Sequence, residues 1–156
     1  RLSNCYGEPA LANLSCWKLV INEFCKSAYF DEQIVILSDG TPVRDFIHYS
    51  DVCNGINILL KKKSRLKHKT INFCSGYTIE IRQVAILVQN IFQELYNKEI
   101  PIFINSNQIL KQNFESKISN NKLSNQLAKN EFIFFRKNLK EGIIDLFNYL
   151  DKVRVS

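Results

Sequence analysis

Apolar residues recur at helical spacing in four stretches of the chain and gather into short extended runs between them. From about Ser15 to Ala28, Trp17, Val20, Ile21, Phe24, Cys25 and Ala28 return every three or four residues, which predicts a helix with Ser15 as its N-cap. Ile34-Val35-Ile36-Leu37 reads as a strand, Asp39-Gly40 as a turn that Pro42 closes, and Arg44 to Tyr49 as a second strand. Val52, Ile56, Leu59 and Leu60 then share one face of a helix opened by Ser50 or Asp51. As a cap, Asp51 accepts from an N–H of the first turn and suits the positive helix end, a structural role that competes with a catalytic one.

Thr70 to Cys74 reads as a short strand and Ser75-Gly76 as a turn. Thr78 to Tyr96 gives the clearest helical periodicity, with Thr78 as cap and Glu80 in the first turn. Ile100 to Ile104 is a strand whose Pro101 favours an edge position. Asn105 to Asn130 is polar and predicts loop, with short helices near Asn107 to Lys111 and Asn120 to Leu127. Leu139, Ile143, Leu146, Phe147 and Leu150 mark a closing helix weakened by Gly142. Strands and helices therefore alternate without an internal repeat, which favours an α/β or α+β arrangement.

Composition narrows the class. The chain has 156 residues, 46% hydrophobic and 23% charged, enough for one domain with a real core. No run approaches the length of a membrane span, and no secretion signal opens the chain, so a cytoplasmic protein without a membrane partner is expected. The absence of methionine and the start at Arg1 suggest a fragment of a longer product. The net charge is +6, and its one dense cluster is Lys61 to Lys69. That cluster follows a helix end, where cations complement the dipole; the competing reading is a phosphate-backbone patch, and nucleic acid is not the expected partner. Five scattered cysteines without a Cys-x-x-Cys pair predict neither disulfides nor zinc, and His48 and His68 have no neighbour at ligand spacing, so no metal site is expected.

Two motifs carry more. Asp39-Gly40-x-x-x-Arg44-Asp45-Phe46-Ile47-x-x-x-Asp51 resembles the signature of the substrate half of NAD-dependent nucleotide-sugar epimerases and dehydratases, the extended short-chain dehydrogenase/reductase family. Arg1-Leu2-Ser3-Asn4-Cys5-Tyr6-Gly7-Glu8 is similar to the family's Arg-x-x-Asn-x-Tyr-Gly segment, and Ile71 to Gly76 with a helix after it resembles its last core strand. The resemblance fades beyond about residue 95.

It implies the C-terminal portion of an NAD(P)-binding Rossmann-like fold: the last sheet strands plus a small α/β substrate subdomain. Residues 1–14 and 70–97 would end the core, and 15–69 and 98–156 would build mainly the subdomain. It implies NAD as cofactor, a nucleotide-sugar substrate, a homodimeric parent and a role in surface-polysaccharide synthesis. Arg44 matches the arginine that grips the diphosphate; as a lone arginine beside Asp45 it would otherwise read as a surface ion pair. Asn4 matches the asparagine that hydrogen-bonds the sugar nucleotide, against a local backbone-bonding role. Tyr6 and Gly7 match the pocket wall, and Ser3 the position where backbone nears the nicotinamide. Asn13, Trp17 and Lys18 are candidates on the following helix, Trp17 reading equally as core.

Departures accompany the match. No arginine lies between Asn105 and Asn130, where relatives bring a second diphosphate contact; Lys111 or Lys117 could supply the charge but not the fork. Neither a Gly-rich dinucleotide turn nor a Tyr-x-x-x-Lys pair is present, so this stretch alone is expected to be inactive. The rival readings are a related reductase acting on another carbonyl, and a non-catalytic binding or structural module.

Overall fold

The computed structural model describes residues 1–11, 15–62, 68, 70–104, 108–109, 123–131 and 133–155. Strand β3 (Val43–His48) lies at the centre of a three-stranded sheet, parallel to β1 (Asn4–Tyr6) and antiparallel to β4 (Thr78–Glu80). From Asp45 to His48 every residue of β3 is buried, because each face of the strand meets a different core. Phe46 joins the main one, and Ile47 joins a smaller one with Ile71, Phe73, Ala128 and Ile133. Leu2 and Phe73 form a parallel bridge, with Ser3 N–H donating to the Phe73 carbonyl at 2.9 Å and Phe73 N–H to that of Arg1 at 2.7 Å. Instead of a full strand from Thr70 to Cys74, pairing is confined to Phe73.

In the second sheet β2 (Ile34–Ile36) runs parallel to β5 (Ile102–Ile104), and β5 antiparallel to β6 (Gln108–Ile109). The strand after Pro101 is thus the middle one, not an edge. Pro101 precedes the first paired residue, so its missing N–H costs no ladder bond, and its carbonyl accepts from Ile34 N–H at 3.0 Å. β6 occupies part of the segment where the sequence predicts a helix near Asn107 to Lys111; the remainder of that segment lies outside the described residues.

Helix starts differ from those the periodicity predicts, later for α1 and α3 and earlier for α2. A 3-10 turn covers Ser15–Lys18 before α1 (Val20–Phe30) begins, so Leu19, not Ser15, is the N-cap. Helix α2 (Tyr49–Lys61) is capped by neither Ser50 nor Asp51: the Nδ1 of His48 accepts from Ser50 N–H at 3.3 Å. Asp51 reaches away and accepts from the backbone N–H groups of Arg136 and Lys137 at 3.1 and 3.0 Å. Residues 78–80 are spent on pairing with β3, so α3 (Ile81–Tyr96) starts at a capping box of Glu80 and Gln83 instead of at Thr78. The short α4 (Gln126–Asn130) and the long α5 (Leu139–Val155) complete the chain.

The apolar faces of α1 and α3 close over the second sheet, and α5 packs on both helices and on β3, with Phe147, Leu146 and Ile143 of α5 fully buried. Each such side chain contributes about 1.5–3 kcal/mol by leaving water. Burial pushes the thiols of Cys25 and Cys74 above their ordinary value, as for inert core cysteines. Among the described residues no helix is long and apolar enough to cross a membrane.

Gly142 is a contact rather than a flaw. A Cβ there would lie 2.5 Å from the Tyr6 hydroxyl and 2.9 Å from His48 Cδ2, so the glycine lets α5 sit directly on the end of the first sheet. Alanine gains about 1 kcal/mol of helix propensity but overpacks at about 1–3 kcal/mol. We expect Gly142→Ala to lower the urea midpoint and Tyr6→Phe, by removing the nearest atom, to restore part of the loss. A Gly142→Ala chain more stable than the parent would contradict this packing.

Candidate functional site

Strand alternation separates neighbours of opposite role. Arg44 is exposed on one side of β3, whereas Asp45 is 3% exposed on the other. The Asp45 carboxylate does not pair with Arg44. Its Oδ1 accepts from Ser75 N–H at 3.0 Å, and its Oδ2 accepts from the Ser75 hydroxyl at 3.0 Å and Gly76 N–H at 2.8 Å. Gly76 adopts φ +79°, a conformation in which its N–H can join this clamp without a Cβ penalty.

Arg44 opens onto a cleft of about 350 Å³ that Asn4 of β1 and Lys18 of the 3-10 turn also line. Apolar walls come from Phe24, Val35, Phe46 and Ile81, and Glu23 and Ser38 add polar groups at its margin. The register explains the convergence: Asn4 sits opposite Phe46, and Arg44 lies two residues before Phe46 on the same face. Arg44 Nη1 donates to the Val43 carbonyl at 2.8 Å, which leaves further donors of the planar fork for an acceptor in the cleft. Asn4 Nδ2 donates to the Asp45 carbonyl at 3.0 Å, so its amide is held across the β1–β3 pair. Two cations and one amide beside an apolar wall can bind an anionic ligand that carries a ring.

The other sequence-based candidates lie elsewhere. Tyr6 is 2% exposed, donates to the Asn138 carbonyl at 3.4 Å and stacks edge-on against His48 at 5.1 Å. Burial holds its phenol well above the usual value. It faces a separate hollow of about 310 Å³ beside Ser75, Tyr77 and Lys137. Trp17 is half-buried against the main core, its ring 6.1 Å from that of Tyr149. Asn13, Lys111 and Lys117 lie outside the described residues. Ser3 does not line the cleft; its hydroxyl is buried without a hydrogen-bond partner.

A dinucleotide needs backbone N–H groups free at a glycine turn. The described glycines of positive φ do not offer them: Gly7 N–H donates to Asn22, Gly40 N–H to Ser38 and Gly76 N–H to Asp45. Among the described residues, these three glycine turns therefore offer no free N–H of that kind.

Asn22 escapes notice in the sequence because it interrupts an apolar stripe without any motif. It is fully buried, accepting from Gly7 N–H at 3.1 Å and donating to the Gly7 carbonyl at 2.7 Å. These two hydrogen bonds fix the turn that follows β1. The only available signal is a polar residue directly after Ile21 on a helix whose neighbours are core.

The fold is that of the Rossmann-like extended short-chain dehydrogenases. The UDP-glucose 4-epimerase of Thermotoga maritima, solved with UDP-glucose, superposes with a TM-score of 0.73 at 21% identity, covering 99% of this chain and 45% of that one. A UDP-glucuronic acid 4-epimerase from Bacillus cereus, solved with UDP-glucuronic acid and NAD, gives 0.73 at 16% identity, covering 98% and 44%. Residues 1–74 match the sequence profile of the NAD dependent epimerase/dehydratase family, the same family that the Arg1–Glu8 and Asp39–Asp51 stretches resemble. GDP-L-fucose synthase 1 of Arabidopsis thaliana is 35% identical over 60 residues, which is 38% of this chain and 18% of that protein. The chain thus spans less than half the length of these solved relatives, and the matched stretch is about a fifth of the plant enzyme.

Asn22→Leu keeps volume and apolar contact but leaves both polar groups of Gly7 buried without partners. We expect a loss of about 2–4 kcal/mol in urea unfolding. Lys18→Ala, at the cleft rim, should change stability by no more than about 0.5 kcal/mol. A stable Asn22→Leu variant would show that water or a neighbour replaces the amide.

Proposed function

We propose that this chain is the substrate-binding part of an NAD-dependent nucleotide-sugar epimerase or dehydratase. The observation that carries the reading is the convergence of Arg44, Lys18 and Asn4 on one cleft. In this reading residues 1–14 and 70–97 finish the dinucleotide-binding core, and 15–69 and 98–156 form most of the substrate subdomain. The Arg44 fork binds the diphosphate through two charge-assisted hydrogen bonds, Lys18 adds a second positive charge, and the Asn4 amide bonds a phosphate or sugar oxygen. The apolar wall at Phe24 and Ile81 shelters the ring of the base or the sugar. Burial of the Tyr6 phenol supports a packing role for it instead of proton transfer.

NAD, held mainly by residues other than these, supplies a hydride acceptor that oxidises a sugar hydroxyl and later returns the hydride. The catalytic tyrosine and lysine of this reading are likewise residues other than these. The protein acts in the cytoplasm as a homodimer on this view. Names of relatives point to the ligand class, since the solved neighbours hold UDP-sugars and the plant relative is named for a GDP-sugar.

The test is a calorimetric titration of the full-length protein with UDP-glucose, UDP-N-acetylglucosamine, dTDP-glucose, GDP-mannose and GDP-fucose. One of them should bind saturably, and Arg44→Ala should weaken it by about 1.5–3 kcal/mol, as for a charge-assisted clamp. Absence of binding to all five, or binding indifferent to Arg44, would remove the nucleotide-sugar assignment.

A further inference from the structure

Away from the cleft, three chain-distant residues meet at the end of β3. A carboxylate oxygen of Glu8, a ring nitrogen of His48 and a carboxylate oxygen of Asp145 all lie within 4.8 Å of one another. Glu8 follows the turn after β1, His48 ends β3, and Asp145 stands on α5. His48 is 2% exposed, and its Nε2 is buried without a hydrogen-bond partner; Glu8 Oε2 is buried in the same condition. The two atoms are 3.4 Å apart, an ion-pair contact only when the imidazole is protonated. Two donors of one tetrahedral zinc ion, with bonds of about 2.0–2.2 Å, are separated by roughly this distance.

The surrounding hydrogen bonds orient both groups toward the shared space. His48 Nδ1 is 2.7 Å from the Ser50 hydroxyl and 3.3 Å from Ser50 N–H; the tautomer that gives up the longer bond from the N–H and donates to the hydroxyl leaves Nε2 as a lone pair, as in metal-bound imidazoles. The Tyr49 hydroxyl donates to Glu8 Oε1 at 2.8 Å, which leaves Oε2 to face His48. The charges facing the space are those of Glu8, Asp145 and Lys137, whose Nζ lies 2.6 Å from Asp145 Oδ2. Two carboxylates against one ammonium leave a net negative charge beside an unprotonated ring nitrogen.

We infer that Glu8, His48 and Asp145 form a binding site for a first-row divalent cation such as Zn²⁺, in which the Lys137 ammonium is a built-in competitor for Asp145. An imidazole and two carboxylates are a donor set suited to zinc, with a remaining position for water. Bound there, the ion ties the turn that carries Gly7 to α5, across the contact that Gly142 leaves open. The inference is independent of the nucleotide-sugar reading.

The experiment uses Zn²⁺ itself, in competition with a chromophoric chelator, on a Cys53→Ser background because the exposed Cys53 thiol can bind zinc unaided. One equivalent should bind with micromolar or tighter affinity, and Glu8→Gln and Asp145→Asn should each weaken it by about 10-fold or more. Lys137→Met, which removes the competing cation, should tighten it. Zinc should raise the melting temperature of the background protein and not that of Asp145→Asn. On the unmutated ring, the ¹⁵N resonance of His48 Nε2 should move when zinc is added, a readout that survives any folding defect of the variants. No binding below about 100 μM, a Lys137→Met variant that binds no tighter, an unmoved His48 resonance, or affinity unchanged in Glu8→Gln and Asp145→Asn would each overturn the site.

Discussion

The structure depends on the carboxylate of Asp45. Its three hydrogen bonds to Ser75 and Gly76 fasten β3 to the turn that launches β4 and α3. Charge-assisted bonds of this kind are about twice as strong as neutral ones, and a buried carboxylate is tolerated only when it is so satisfied. With that turn fixed, Phe46 and Ile47 are held in two separate cores, and Arg44 is directed outward into the cleft. The cleft arginine is thereby mounted on a strand buried on both faces two residues later, so its guanidinium starts from a stiff backbone.

The same economy recurs at the other end of β3. His48 caps α2, packs against Tyr6 and leaves Gly7 and Gly142 no room for a side chain. Asp51, one helical turn on, receives two backbone N–H groups from the segment that leads into α5. The cleft-lining Arg44 at the start of the strand and the packed His48 at its end share one element, which runs from the cleft to the contact with α5.

What was legible in the sequence follows from the range of the forces involved. The periodicity that builds α2, α3 and α5 is local and strong, so those elements stand within a few residues of their predicted positions. Caps were misjudged where a distant partner competed: Asp51 takes N–H groups from Arg136 and Lys137, and Thr78 is drawn into a strand opposite Asp45. Pro101 was read as an edge signal because the sequence does not say that pairing starts one residue later.

The cleft was legible through motif resemblance at Arg44 and Asn4, and only loosely at Lys18. Tyr6 was placed at a pocket wall by the Tyr-Gly resemblance; it lines the hollow beside Ser75 and Tyr77, separate from the Arg44 cleft. Asn22 and Gly142 matter through single contacts with Gly7 and Tyr6, which no spacing encodes. The Glu8, His48 and Asp145 cluster was invisible for the same reason, its members being drawn from three separate elements.

The central claim is that adjacent residues of one strand divide the work, Arg44 facing the cleft and Asp45 holding the fold. Paired urea-unfolding curves of Arg44→Ala and Asp45→Ala measure this division directly. The account predicts a change within about 0.5 kcal/mol for Arg44→Ala and a loss of about 3–5 kcal/mol for Asp45→Ala. Equal losses in the two variants, or a tolerated Asp45→Ala, would contradict it.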